Sequence, residues 1–190
     1  MNEEKIEESI TSLLEAIGED PNREGLIETP KRVAKAYAEI FAGLNHRPEE
    51  FTDYKIFHVD EDPEMILVQQ IPFYSMCEHH LLPFFGVANV AYVPEDGKVI
   101  GISKIPRLVE FVSKRPGMQE KVTTQIVDEL EEILHPQGIA VSLSARHMCM
   151  EMRGINRDGL STYTSKFTGV FKDDRDLKNE FLRQTENQRG

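Results

Sequence analysis

Cysteine is scarce: two residues, Cys77 and Cys149, among 190. A disulfide is not needed to hold together a chain of this size, whose 39% hydrophobic content supports one domain with a substantial core. Long apolar runs are missing too, and none approaches the roughly 20 residues that a membrane-spanning helix needs. The amino terminus, MNEEKIEESI, lacks the basic-then-apolar order of a secretory signal, so the expected setting is cytoplasmic, with reduced thiols. Basic residues are outnumbered, 22 against 33 acidic ones, for a formal net charge of -11. That balance disfavours nonspecific attachment to nucleic acid or to an anionic membrane. Any phosphate-bearing ligand must be met by a local basic cluster. No internal repeat or low-complexity tract is present.

What is present changes period along the chain. Residues 4–17 carry Ile6, Ile10, Leu13, Leu14 and Ile17 at helical spacing up to Gly18. A second helix is expected in ETPKRVAKAYAEIFAGL, with Thr29 as N-cap, Pro30 in the first turn, and Val33, Tyr37, Ile40 and Phe41 on one side. The polar stretch NHRPEEFTDY follows and divides an N-terminal helical region, 1–48, from an α+β domain, 49–190. MILVQQI, FGVANVAYV and KVIGI read as strands. Ser103 opens a helix carrying Ile105, Leu108, Val109 and Val112. A longer helix with Met118, Val122, Ile126, Leu130 and Leu134 in step follows RPG. GIAVSLSARHMCMEMRG and STYTSKFTGVF read as two further strands, and DDRDLKNEFLRQ as an exposed helix. The fold class expected is α+β, with a mostly antiparallel sheet.

Chemistry concentrates in SMCEHHLLPFFG. The three-residue spacing of Cys77 and His80 puts a thiolate and an imidazole on one side of a turn, which suits zinc, and leaves Glu78 and His79 pointing elsewhere. Two ligands hold zinc weakly. In ARHMCMEMRG, read as a strand, His147, Cys149, Glu151 and Arg153 share one face at roughly 7 Å spacing, and the methionines share the other, core face. Cys77, His80 and Cys149 then form a Cys2His set with one open position, the pattern of a catalytic zinc. Blander readings remain: a disulfide, buried free thiols, or a satisfied polar turn. His46, His58 and His135 sit in polar loop contexts and receive no role.

The motifs SMCEHHLLPFFG, VIGISKIPR, KRPGMQEKVT and ARHMCMEMRG, in that order, resemble those of the GTP cyclohydrolase I family, and the match runs from TPKRVAK to FKDD. The resemblance implies a tunnelling-type fold, in which antiparallel strands and two packed helices close into barrels through oligomerisation. It also implies a zinc-dependent conversion of GTP and water to 7,8-dihydroneopterin triphosphate and formate, the first step of folate and pterin synthesis. Zinc-activated water would attack guanine C8, with histidine acid–base help. Carried over residue by residue, Cys77, His80 and Cys149 match the zinc ligands, and His79 and His147 the proton-transfer histidines. Gln119 and Glu120 match the purine-recognition pair. Ser103, Lys104, Arg107 and Arg153 match triphosphate contacts, with Arg32 and Lys35 as further basic contacts. The assembly implied is a homodecamer with shared active sites.

Physical chemistry is compatible with these roles. A carboxylate such as Glu120 can accept from both N1 and the 2-amino group of guanine. Lys104 and Arg107, one turn apart at a helix start, can join free N–H groups in holding phosphate. Each residue also has a plain alternative: the basic ones as solvated helix side chains, Gln119 and Glu120 as partners of a helix dipole. The segment GINRDGLSTYTSKFTGVF and the position of Pro106 depart modestly from the family pattern without removing a matched residue. The short acidic N-terminal region offers no obvious regulatory extension. Rivals are a related nitrile reductase using cysteine as nucleophile and a non-enzymatic zinc-stabilised assembly protein.

Overall fold

The computed structural model describes residues 1–45, 55–60 and 63–186. The expected boundary at 48/49, most of NHRPEEFTDY and His46 lie outside the described residues. Helix α1 (Glu3–Ala16) starts at Asn2, whose side chain accepts from the Lys5 backbone N–H at 3.0 Å. Its apolar stripe is not core in this chain: no α1 residue is buried, and Leu13 and Ile17 are 53% and 67% exposed. Helix α2 (Thr29–Ile40) begins one residue earlier than expected. Glu28 is the N-cap, Thr29 is already helical, and no side chain caps the turn.

A 3-10 turn, Ala42–Leu44, docks this helical pair onto the rest. Gly43 N donates to Lys114 O at 3.0 Å, and Arg115 Nη2 donates back to Gly43 O at 2.7 Å. A Cβ on Gly43 would lie 2.3 Å from Phe111 O, so the approach requires glycine.

The sheet contains β2 (Ile66–Cys77), β3 (Pro83–Val93), β5 (Pro116–Gly117), β6 (Gly138–His147) and β7 (Thr162–Phe167), in the order β5-β2-β3-β6-β7. All pairings are antiparallel except the short parallel contact of β5 with Met76 and Cys77. Strands β1 (Ile56–His58) and β4 (Lys98–Ile100) form a separate antiparallel pair. Strand β2 is longer than MILVQQI suggests, because Phe73, Ser75 and Cys77 continue its inward-facing set to the edge of the CEHH turn. Helices α3 (Lys104–Ser113) and α4 (Gln119–Leu134) cover one face. There Leu108, Val109, Ile126 and Leu130 meet Phe84, Val90, Val141 and Leu143, all fully buried.

Three sequence expectations change at the C-terminal half. The strand GIAVSLSARHMCMEMRG stops at His147, and Met148–Glu151 form a single helical turn, α5. Alternation therefore does not continue to Arg153, and the methionine side is not a core face: Met152 is 63% exposed, while Met148 and Met150 are half-buried. The strand STYTSKFTGVF ends at Phe167 and gives way to a helical turn, α6 (Val170–Asp173). The tail helix α7 (Arg175–Glu186) is amphipathic, not simply exposed: Phe181 is buried with Phe171, Ala91 and Ala140 on the second sheet face. Among the described residues, no helix is long and apolar enough to cross a membrane.

Gly86, on β3, sets how closely β3 and β6 approach. A Cβ there would meet Ser144 O at 1.9 Å and Ala145 Cα at 2.7 Å, both backbone atoms that cannot swing aside. Gly117 has nothing within 4 Å of such a Cβ. Gly86→Ala is expected to lower unfolding free energy by more than about 2 kcal/mol, and Gly117→Ala to change it by less than about 1 kcal/mol. Urea titration followed by circular dichroism measures both.

Candidate metal centre

Cys77 is the last residue of β2, and its backbone N–H donates to Leu82 O at 2.9 Å across the hairpin. Within the turn, His80 N and Leu81 N both donate to Cys77 O, at 3.3 and 2.8 Å. Leu81 pays for this tight return with a left-handed φ of 50°, a conformation that costs a non-glycine residue on the order of 1 kcal/mol or more. The turn brings two imidazoles to one sulfur: His80 Nδ1 lies 3.7 Å and His79 Nδ1 3.8 Å from Cys77 Sγ. The expectation that His79 points elsewhere is thus corrected. Glu78 does point away, into a salt bridge with Lys121 Nζ at 2.8 Å.

The third sulfur arrives through the helical turn. A strand would carry Cys149 about 7 Å beyond His147. A helical turn rises only about 1.5 Å per residue, so the chain curls back on itself. Cys77, His80 and Cys149 consequently have their donor atoms all within 4.8 Å of one another, a group that could hold a metal ion. Both cysteines are free. Burial pushes the Cys149 thiol up, and the nearby Cys77 sulfur adds to that rise, while the positive charge of Arg153 draws it down. A cation beside these sulfurs would favour the thiolate form of Cys149 that burial opposes.

His147 stands at the end of β6, paired in register with Phe84. Its ring lies flat on the buried Phe84 ring, with centroids 4.8 Å apart and planes 1° from parallel. His147 Nε2 meets Gln119 Oε1 at 2.8 Å. Burial pushes the imidazole below its usual range, against the opposing negative charges of Glu120 and Glu151. Gln119, the first residue of α4, is 1% exposed, and its Nε2 reaches Leu143 O, Thr162 O and Thr164 Oγ1 at 3.2, 3.0 and 3.0 Å. Glu120 beside it is exposed.

Glu151, at the end of α5, is buried and takes a two-pronged bond from Arg146, Nε to Oε1 at 2.9 Å and Nη2 to Oε2. The Arg146 hydrogen bonds hold its carboxyl below the usual range. That clamp ties the helical turn carrying Cys149 back to β6.

The other candidates lie elsewhere. Ser103 and Arg107 are exposed and Lys104 half-buried at the start of α3. Just before them, Ile100 N donates to Tyr92 Oη at 3.2 Å. Tyr92 lies eight residues along β3 from Phe84, roughly 26 Å at the strand rise. Ser103 and Lys104 therefore sit toward the opposite end of the sheet from His147, whereas Arg107, further along α3, lines a cavity with Phe73 and Tyr74 of β2. Arg32 and Lys35 are exposed on α2. Sequence reasoning missed Phe84, Thr123, Thr164 and the Arg146–Glu151 pair. Only Thr123, one helical turn after Gln119, left a local trace, whereas Thr164 reaches the site through strand pairing alone.

Residues 6–186 match the model of the family described as GTP cyclohydrolase I. The chain is 56% identical over 183 residues to GTP cyclohydrolase 1 of Lactiplantibacillus plantarum, covering 96% of each chain. It is 51% identical over 188 residues to GTP cyclohydrolase 1 of Bacillus subtilis, covering 99% of this chain and 98% of that one. Among solved structures, an archaeosine synthase QueF-like protein in the apo form aligns with 57% of this chain at TM-score 0.46 and 15% identity.

Removing one of three donors should abolish metal retention, since the remaining Cys77 and His80 form only a two-point site. Cys149→Ser is expected to carry less than about a tenth of the parental metal per chain after gel filtration. Elemental analysis of the purified variant decides it, and parental metal content in Cys149→Ser would remove Cys149 from the ligand set.

Proposed function

The chain belongs to the GTP cyclohydrolase I family, and from that membership we infer that its site converts GTP and water to 7,8-dihydroneopterin triphosphate and formate, opening a route to folates and pterins. The observation that carries this reading is the convergence of Cys77, His80 and Cys149 beside His147, itself within the electrostatic reach of Glu120. The donor set fits zinc. Tetrahedral zinc with one sulfur and one nitrogen ligand separates those atoms by about 3.6 Å, and Cys77 Sγ and His80 Nδ1 are 3.7 Å apart. Cys77, His80 and Cys149 would hold the zinc, which would supply Lewis acidity for activating water near neutral pH. Reduced thiols at both cysteines suit a cytoplasmic setting.

The chain's own residues supply the rest. His147, with Nε2 engaged by Gln119, keeps Nδ1 as the ring nitrogen free to take up or release a proton as the imidazole ring of guanine opens. His79, exposed at the hairpin, is the second proton-transfer group. Glu120 accepts from guanine N1 and the 2-amino group, a pair of donors that adenine does not offer. Gln119 has its amide committed within the chain, so it serves recognition through His147 and leaves the direct purine contact to Glu120. Arg153, close enough to influence Cys149, stands on the metal side of the triphosphate set.

Incubation with GTP, followed by formate release and pterin fluorescence, tests the activity. His147→Ala is expected to keep its zinc and lose at least about a hundredfold in kcat, the usual weight of a positioned acid–base group. Glu120→Gln is expected to lose its preference for GTP over ATP, measured as the ratio of kcat/KM values. If Glu120→Gln discriminates as the parent does, Glu120 serves only the helix dipole.

Ser103 and Lys104 lie far along the sheet from the same chain's metal centre, and this supports sites shared between chains. Strand β2 has an outer edge paired only at Met76 and Cys77 among the described residues, and an assembled ring covers such edges. The assembly is a homodecamer in which a neighbour's α3 supplies triphosphate contacts, with Arg32 and Lys35 as further basic groups. The helical region 1–48 and the domain 49–190 are its two parts. Co-expressing His147→Ala with Arg107→Ala should restore activity in about a quarter of sites, from two independent chances of one half. Hybrid oligomers verified by native mass spectrometry that stay inactive would place the whole site within one chain.

A further inference from the structure

Behind His147 lies a set of hydrogen bonds whose directions follow atom by atom. Thr123 Oγ1 is 2.9 Å from the Gln119 carbonyl oxygen, which can only accept, so the single hydroxyl proton of Thr123 points there. The 2.7 Å contact between Thr123 Oγ1 and Thr164 Oγ1 must then be donated by Thr164. Having given its proton to Thr123, Thr164 meets Gln119 Nε2 at 3.0 Å as an acceptor. A closed ring results: the Gln119 side-chain amide donates to Thr164, Thr164 to Thr123, and Thr123 to the Gln119 backbone.

Leu143 O and Thr162 O also lie within reach of Nε2, whose two protons are shared among the three acceptors, so a flipped amide would set its oxygen against two carbonyls. Those carbonyls decide which end of the amide is nitrogen. The Thr164 hydroxyl adds the third point that sets the plane. Oε1 is thereby aimed at His147 Nε2, 2.8 Å away. An amide oxygen cannot donate, so the ring proton of neutral His147 is assigned to Nε2.

We propose that Thr164 is a positioning residue of the reaction: closing this ring, it holds the Gln119 amide in the plane that keeps His147 as its Nε2–H tautomer, with Nδ1 free for proton transfer. The inference rests on the reading of His147 as a proton-transfer group. Thr123 is buried and Thr164 half-buried, and neither carries a charge, so the ring acts by geometry.

Thr164→Val keeps the side-chain volume and removes the hydroxyl. In the zinc-loaded assembly its kcat is expected to fall about three- to tenfold, the scale of one net hydrogen bond, with KM for GTP and zinc content unchanged within about twofold. Thr164→Ser should restore kcat. Solid-state 15N spectra of histidine-labelled protein, with the His147 signals identified by their loss in His147→Ala, should show protonated Nε2 in the parent and mixed tautomers in Thr164→Val. Should Thr164→Val not fold, Thr164→Ala carries the same comparison. Parental kcat and an unchanged tautomer in the hydroxyl-free variant overturn the proposal, as does a Thr164→Ser variant impaired as much as the valine. A His147→Ala variant that turns over GTP at the parental rate removes the proton-transfer reading itself, while the spectra still decide whether Thr164 sets the ring's tautomer.

Discussion

The register of the β3–β6 ladder places Phe84 opposite His147, and every distance at the metal centre is inherited from that pairing. Phe84 follows the hairpin that carries Cys77 and His80, and His147 precedes the turn that carries Cys149. A slip of one residue would turn each side chain to the other face of the sheet and separate the sulfurs. Close backbone approach at Gly86, two residues on, locks this register, and the flat stacking of the two rings fills the space between the strands. The helices contribute at the same end: α4 begins within reach of His147 because β5 pairs with Met76 and Cys77 and delivers the chain there.

Polar groups around the centre are organised so that their orientation is not left to chance. Glu78 is drawn off by Lys121, Glu151 by Arg146, and Gln119 by two strand carbonyls and a threonine. Two carboxylates that would otherwise compete for a cation are thus committed to basic partners. Glu120 keeps its carboxylate exposed. A protein with a formal charge of -11 can offer a site for an anionic nucleotide only if its acidic groups are sorted in this way.

Much of this was legible in the sequence, for reasons particular to each residue. Cys77 and His80 declared themselves because their spacing is local, and the core strands because their apolar runs are long. Both main helices followed from periodicity, and the mostly antiparallel sheet from their order. The turn at Met148–Glu151 escaped, since alternating methionines and polar residues mimic a strand while methionine and glutamate are also good helix formers. The engagement of Gln119 escaped because its partners come from β6 and β7, which no local pattern connects to the start of α4. The mild misreading of the tail helix came from its charge, which hides the few apolar residues that dock Phe181.

The hairpin and the helical turn whose donors could hold a metal are far apart along the chain, and this sets an order in time. During synthesis Cys77 and His80 are available long before Cys149, and a two-point site holds an ion only fleetingly. The third donor comes within reach only after the central strands have found their register and the chain has curled at Met148. A small zinc domain gathers its ligands early and folds around the ion. This chain must build its scaffold by long-range pairing first, so a metal taken up by these three donors would mark the completion of folding and could not serve to begin it.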